Sequence, residues 1–202
     1  MAKRRILVFG ASITLGCWDT DGGWVDKLKR VGMQRTIEAE GQNKIQVINL
    51  GVGGDTSTEI LARMPNEIDA REKLAWETEI VVSIGTNDVR IMDEIIRTPK
   101  EQFAKNILNL IEIAKKHTEK ITFVGIPPIG KKEMIFSKAL YSDELIEKYD
   151  GIIQKITAEQ GVKYINTRNA FAGHDDCWCY DFLHPNDKGH HLIFDAVKDA
   201  IL

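Results

Sequence analysis

Paired cysteines, long apolar runs and an excess of positive charge are what this 202-residue sequence lacks. Its three cysteines, Cys17, Cys177 and Cys179, are odd in number and scattered. That excludes a closed disulfide framework and reads as free thiols in a reducing compartment. No stretch approaches the roughly 20 apolar residues that a bilayer-spanning helix needs, so no stable membrane insertion is expected. Lys3-Arg4-Arg5 does precede the apolar Ile6-Leu7-Val8-Phe9. That run is too short for the core of an export signal, and no small-residue cleavage site follows it. The expected location is therefore cytoplasmic. Lys and Arg total 27 against 30 Asp and Glu, a net charge of −3. Such a balance offers no general attraction to phosphate backbones, so no nucleic-acid partner is expected. Internal repeats, low-complexity tracts and Pro/Gly/Ser linkers are also missing. The length suits one domain over residues 1–202.

What is present is a globular composition, 43% hydrophobic and 28% charged. Short runs rich in Ile and Val occur at Arg5–Phe9, Ile45–Leu50, Glu79–Ile84, Lys120–Gly125 and Val162–Asn166. Each is nearly continuous rather than alternating, as strands buried on both faces of a parallel sheet are. Helical stripes lie between and after them. Phe103, Ile107, Leu110, Ile111 and Ala114 form one, with Pro99 suited to a first-turn position. Leu145, Ile146, Tyr149, Ile152, Ile153 and Ile156 form a second, and Leu192, Ile193, Ala196, Val197, Ala200 and Ile201 a third. The stretch after Trp24, with Leu28 and Val31, is a fourth. Strands alternating with helices predict an α/β fold, a three-layer α/β/α sandwich on about five parallel strands. The segment from Pro127 to Ser142 has no clear period. A surface loop is the favoured reading, a substrate wall the alternative.

Open parallel sheets bind ligands outside the carboxyl ends of their strands. After the first run comes Gly10-Ala11-Ser12-Ile13-Thr14, after the second Asn49-Leu50-Gly51-Val52-Gly53-Gly54-Asp55-Thr56, and after the third Gly85-Thr86-Asn87-Asp88. Near the end of the chain stands Asp181-Phe182-Leu183-His184-Pro185. Acyl transfer needs these residue types. A serine hydroxyl is a weak nucleophile without an adjacent base, and a histidine titrating near neutrality can be that base. An aspartate can hold the imidazole tautomer and stabilise its cation. Asn87 and the Gly53-Gly54 turn can supply donors to a developing oxyanion. Each segment alone reads more readily as a cap, a turn or a structural residue; four of them supplying parts of one mechanism carry the argument.

In these blocks the sequence resembles the SGNH (GDSL-type) hydrolases over nearly its whole length. Gly10-Ala11-Ser12-Ile13-Thr14 is similar to their first block, Asn49 through Thr56 to their second, Gly85-Thr86-Asn87-Asp88 to their third and Asp181 through Pro185 to their last. Gly22-Gly23-Trp24-Val25 also looks typical. The resemblance implies a flavodoxin-like sandwich. It implies Ser12 as nucleophile, Asp181 and His184 as triad partners, and an oxyanion hole of Ser12 N–H, Gly54 N–H and the Asn87 amide. It implies neither metal nor organic cofactor. One residue departs from the pattern: Ala11 stands where an aspartate usually precedes the serine.

Rival motifs fail. Thr56 stands where a dinucleotide fingerprint needs its third glycine, and Gly10 to Gly16 lacks the Lys-Ser/Thr of a P-loop. The calcium-loop likeness at Asp19-Thr20-Asp21-Gly22 has its glycine misplaced. Cys177 and Cys179 are too close for a usual zinc pair, with His174 beside them in a loop. His190 and His191 read as a helix face without a role. Trp18, Trp178, Tyr180 and Phe182 fit core packing and a substrate wall equally. The reading is a serine esterase acting on short-chain acyl or acetyl esters, acetylated sugars among them. Its alternatives are a ligand-binding protein weakened by Ala11 and a thioesterase or lysophospholipase.

Overall fold

The computed structural model describes residues 3–202. Five strands form one parallel sheet: β1 (Lys3–Gly10), β2 (Lys44–Gly51), β3 (Glu77–Ser83), a fourth over Ile121–Val124 and a fifth over Lys163–Ile165. Counting in chain order the two-residue strands β4 (Ile91–Met92) and β5 (Ile95–Ile96) and the hairpin strands β7 (Glu133–Phe136) and β8 (Ala139–Ser142), the last two parallel strands are β6 and β9. The sheet order is β2-β1-β3-β6-β9.

Alternate residues of the central strands serve two cores. Ile6, Val8 and Val81 face one layer, where they meet Trp24, Val25 and Leu28 of α2 (Gly23–Glu38) and Ile193 and Val197 of α6 (Asp187–Ile201). Leu7, Phe9, Ile80 and Val82 face the other. They meet α3 (Ser57–Asp69), α4 (Lys100–Lys115) and α5 (Asp143–Glu159) through Ile60, Met64, Ile107, Tyr149 and Ile153. Two buried faces explain why these runs are apolar without alternation.

The register fixes the site. Gly10 lies opposite Gly51 on one side and Ser83 on the other, so three strand ends stop at one level. From β1 the chain crosses to β2 on one flank and later to β3 on the other. The carboxyl end of β1 is therefore the point where winding reverses, the usual ligand crevice of such sheets. The four-residue helix α1 (Ser12–Leu15) sits there. Two glycines let it approach. A Cβ on Gly10 would stand 1.9 Å from Thr14 Oγ1, and one on Gly51 would stand 2.3 Å from the Leu15 backbone nitrogen.

Three features differ from the sequence-based expectation. Residues 133–142 are not a loop. They form the β7–β8 hairpin, which joins β4–β5 in a second, antiparallel sheet of order β5-β4-β8-β7. Its turn residues Ser137 and Lys138 and those of the other hairpin, Asp93 and Glu94, adopt left-handed backbone without the Asn-Gly signature that marks such turns. Helix α3 escaped notice because Pro65 lies inside it. The sequence did contain its start signal: Thr56 and Glu59 form a reciprocal capping box. Pro99 is one residue earlier than expected, at the N-cap of α4.

Gly51→Ala is expected to destabilise the fold by at least about 2 kcal/mol, since backbone must move to admit the methyl group. Gly151→Ala, in α5 with nothing within 4 Å of its added carbon, should instead stabilise by about 0.5–1 kcal/mol. Urea titration of both variants checks the pair; equal effects would contradict the close approach of α1 to β2.

Candidate active site

Ser12 opens α1 directly above β1, so its N–H belongs to a helix first turn and has no intrahelical acceptor. Its Oγ lies 2.9 Å from His184 Nε2. His184 Nδ1 lies 2.7 Å from Asp181 Oδ2. The other carboxylate oxygen, Oδ1, accepts from the backbone nitrogens of His184 at 2.9 Å and Leu183 at 3.0 Å. The aspartate therefore ties down both the ring and the turn that carries it. Burial works to raise the Asp181 carboxyl, but the His184 backbone N–H, the imidazole and the Leu183 N–H outweigh it and hold it below its ordinary value. Both Asp181 and His184 are buried.

The segment carrying them is pinned from several sides. Cys179 N donates to His184 O at 2.9 Å, and Gly130 N donates to Phe182 O at 2.8 Å. Asn186 caps α6 by accepting from Lys188 N and Gly189 N. Its amide also donates to the Asp176 and Trp178 carbonyls. Thr20 donates through N and Oγ1 to the two oxygens of Asp187, which ties the loop after α1 to the start of α6. His190 is not an idle helix-face residue. It is fully buried, with Nε2 3.3 Å from the Cys17 carbonyl, and burial lowers its pKa. His191 is exposed.

The donor side lies across the β1 end. Gly54 occupies a turn closed by Asp55 N donating to Val52 O at 3.2 Å, and its φ of +86° is left-handed backbone that suits glycine. Arg97 Nη1 donates to the Gly54 carbonyl at 3.1 Å while Nη2 pairs with Glu59 Oε1 at 3.1 Å. Asn87 Nδ2 donates to the Asp55 carbonyl at 2.9 Å. One amide hydrogen thus orients the group and the second is left for a ligand. Arg63 braces the same loop through Asp55 Oδ2 at 2.8 Å and the carbonyls of Leu50 at 2.8 Å and Gly10 at 3.2 Å.

Sequence reasoning gave no role to Asp88, which is fully buried. Its carboxylate accepts from Ser57 N at 3.1 Å and Ser57 Oγ at 2.6 Å. Asn106 Nδ2 in turn donates to Ser57 Oγ at 2.9 Å. Asp88 therefore anchors the start of α3, just beyond the Gly54 turn, to the residue after Asn87. Its position beside Asn87 was visible in the sequence; its partner Ser57 had no signal there. Arg63 and Arg97 were likewise not anticipated, and Phe136 was covered only by the substrate-wall alternative for residues 127–142. Of the four aromatics in question, Trp178 stacks inside on Phe171, with ring centroids 5.1 Å apart. Trp18, Tyr180 and Phe182 are exposed. Trp18 and Phe136 each meet the His184 ring edge-on, at 6.2 and 5.8 Å. His174, Asp176 and Cys177 bring donor atoms within 4.8 Å of one another, but Lys188 already pairs with the Asp176 carboxylate at 2.6 Å.

Residues 8–192 match the model of the GDSL-like Lipase/Acylhydrolase family. The chain belongs to this family. It is a carboxylic ester hydrolase of the GDSL type. Esterase TesA of Pseudomonas aeruginosa is 34% identical over 132 residues, which cover 63% of this chain and 57% of that protein. An uncharacterized lipoprotein, YqeF of Bacillus subtilis, is 28% identical across 96% of this chain and 88% of its own length. Among solved structures, a lipase/acylhydrolase from Enterococcus faecalis superposes with a TM-score of 0.72 at 25% identity, covering 98% of this chain and 97% of that one. The acetylxylan esterase Axe2 of Geobacillus stearothermophilus shares the fold, with a TM-score of 0.76 at 20% identity over 99% of this chain and 94% of that one. No helix among the described residues is long and apolar enough to cross a membrane.

Burial raises the Asp88 carboxyl from 3.8 to about 6, against the opposing bonds from Ser57. Between those values the folded protein binds a proton that the unfolded chain does not. The Asp88 contribution to stability therefore grows as pH falls from about 6 toward 4, on the order of 2 kcal/mol. The stability difference between wild type and Asp88→Asn should become more favourable to wild type over that interval and level off above pH 7. Urea titrations from pH 4 to 8 check it; a difference moving the opposite way would contradict the raised carboxyl.

Proposed function

We propose that this esterase hydrolyses short-chain acyl esters, acetyl esters first, through Ser12, His184 and Asp181. The reading rests on one observation: an unbroken hydrogen-bonded chain from the Ser12 hydroxyl through both nitrogens of His184 to a buried carboxylate. His184 Nε2 takes the Ser12 proton as Oγ attacks the ester carbonyl carbon. The carbonyl oxygen becomes an anion stabilised by the Ser12 N–H, the Gly54 N–H and the second hydrogen of the Asn87 amide. As the tetrahedral adduct collapses, His184 delivers its proton to the departing alkoxide. Water then enters, gives a proton to His184 and attacks the acyl-enzyme, and Ser12 is restored with release of the acid. Asp181 stays ionised throughout, consistent with its lowered pKa, and steadies the imidazolium.

The Ser12–His184–Asp181 hydrogen bonds are all present with Ala11 beside the nucleophile.

Ser12→Ala should lower kcat/KM for ethyl acetate by at least about 10³-fold with an unchanged thermal midpoint. Asn87→Ala should lower kcat by about 10²–10³-fold and KM much less, since its amide acts on charge that exists only in the transition state. Steady-state kinetics on both variants tests the assignment. Ser12→Ala with wild-type turnover would overturn it.

A further inference from the structure

We propose that the alcohol half of the substrate is a pyranose sugar, stacked in an open, angled aromatic platform formed by Trp18 and Tyr180 beside His184. This rests on the reading above and specifies the ester that the same site takes.

The proposed acetyl group needs little room, and the cavity beside Ser12 is small to match. A cavity of about 20 Å³ opens beside Ser12, lined among others by Ala11, Ile84, Gly85, Ile126 and Pro127. That is room for one water-sized group, such as the methyl of an acetyl. With so little acyl surface to hold, recognition must come from the alcohol. The alcohol lies on the imidazole side, because His184 protonates it as it leaves.

That side is where the exposed rings cluster. Trp18 is 52% exposed and Tyr180 76%. Their centroids are 6.0 Å apart with their planes inclined at 54°. The pair forms an angled corner in which a sugar stacks on one ring and rests its edge on the other. Trp18 also meets the His184 ring edge-on. Trp18 and Phe182 hold left-handed backbone, with φ of 68° and 53°. That conformation is costly for bulky residues and persists where the surroundings demand it. Here it turns one ring out beside the catalytic imidazole and sets Phe182, one-third exposed, under the Lys131 ammonium at 3.8 Å.

An alkyl chain would need a trough to leave water. A pyranose needs only a flat face: its axial C–H bonds carry slight positive charge and sit against the negative face of an aromatic ring. Its hydroxyls stay in solvent or reach a donor such as Lys131. Open, solvent-facing rings suit that amphipathic shape.

The test compares methyl β-xylopyranoside triacetate with ethyl acetate, which has no ring to stack. The variants are Tyr180→Ala, Tyr180→Phe and Trp18→Asn; asparagine tolerates the left-handed backbone without supplying a ring. The ratio of kcat/KM for the sugar ester to that for ethyl acetate should fall at least tenfold in Tyr180→Ala and Trp18→Asn. The loss should lie mainly in KM, and Tyr180→Phe should retain the wild-type ratio. An unchanged ratio in both ring-deleting variants would overturn the platform. So would faster hydrolysis of an octanoyl than an acetyl sugar ester by wild type, which would mark an acyl-chain site instead. If wild type cleaves ethyl acetate and not the sugar ester, the sugar proposal falls alone; if it cleaves neither, the esterase reading falls with it.

Discussion

A single contact, Ser12 Oγ to His184 Nε2, joins residues 172 positions apart in the chain. Neither residue can reach the other by local structure. Ser12 is placed by the end of the central strand, and His184 by a turn that Asp181 closes on itself. The gap is bridged by ties that have no catalytic duty: Thr20 to Asp187, Cys17 to His190, and Asn186 binding both the cap of α6 and the loop before it. Each is worth about 1 kcal/mol alone. Their value in the proposed mechanism is geometric, because a base displaced by one ångström would lose the nucleophile.

The opposite flank follows a different logic. Asp88 and Arg63 are charged groups held in or near the core, where apolar residues would be cheaper to bury. Asp88 holds the start of α3 and Arg63 holds Asp55 and the ends of β1 and β2. Between them runs the Gly53-Gly54 turn. A glycine turn is soft, and donors proposed to await a transient anion must be rigid to be effective. The buried charges supply the rigidity that the glycines lack.

The sandwich was legible because both faces of β1 and β3 are buried, so apolar continuity betrayed the parallel sheet. The constellation was legible because its members are short blocks, three at strand ends and one, Asp181 to Pro185, in the loop before α6. What the sequence concealed follows from context. Pro65 masked α3, although Thr56 and Glu59 announced its start. Ser137-Lys138 turns a hairpin without glycine or asparagine, so β7 and β8 read as a loop, and with them Phe136 against His184 stayed hidden. The partition of the aromatics, with Trp178 inside and Trp18 and Tyr180 outside, depends on how one loop folds over another, and no spacing encodes that.

The account stands on the serine being activated by that distant histidine. Its most direct measurement is covalent labelling with diisopropyl fluorophosphate, read by peptide mass, in wild type and in His184→Gln. Wild type should gain one diisopropylphosphoryl group on Ser12, with loss of fluoride, and the variant should label at least about 10³-fold more slowly. Label on another residue, or equal rates in the two proteins, would contradict it.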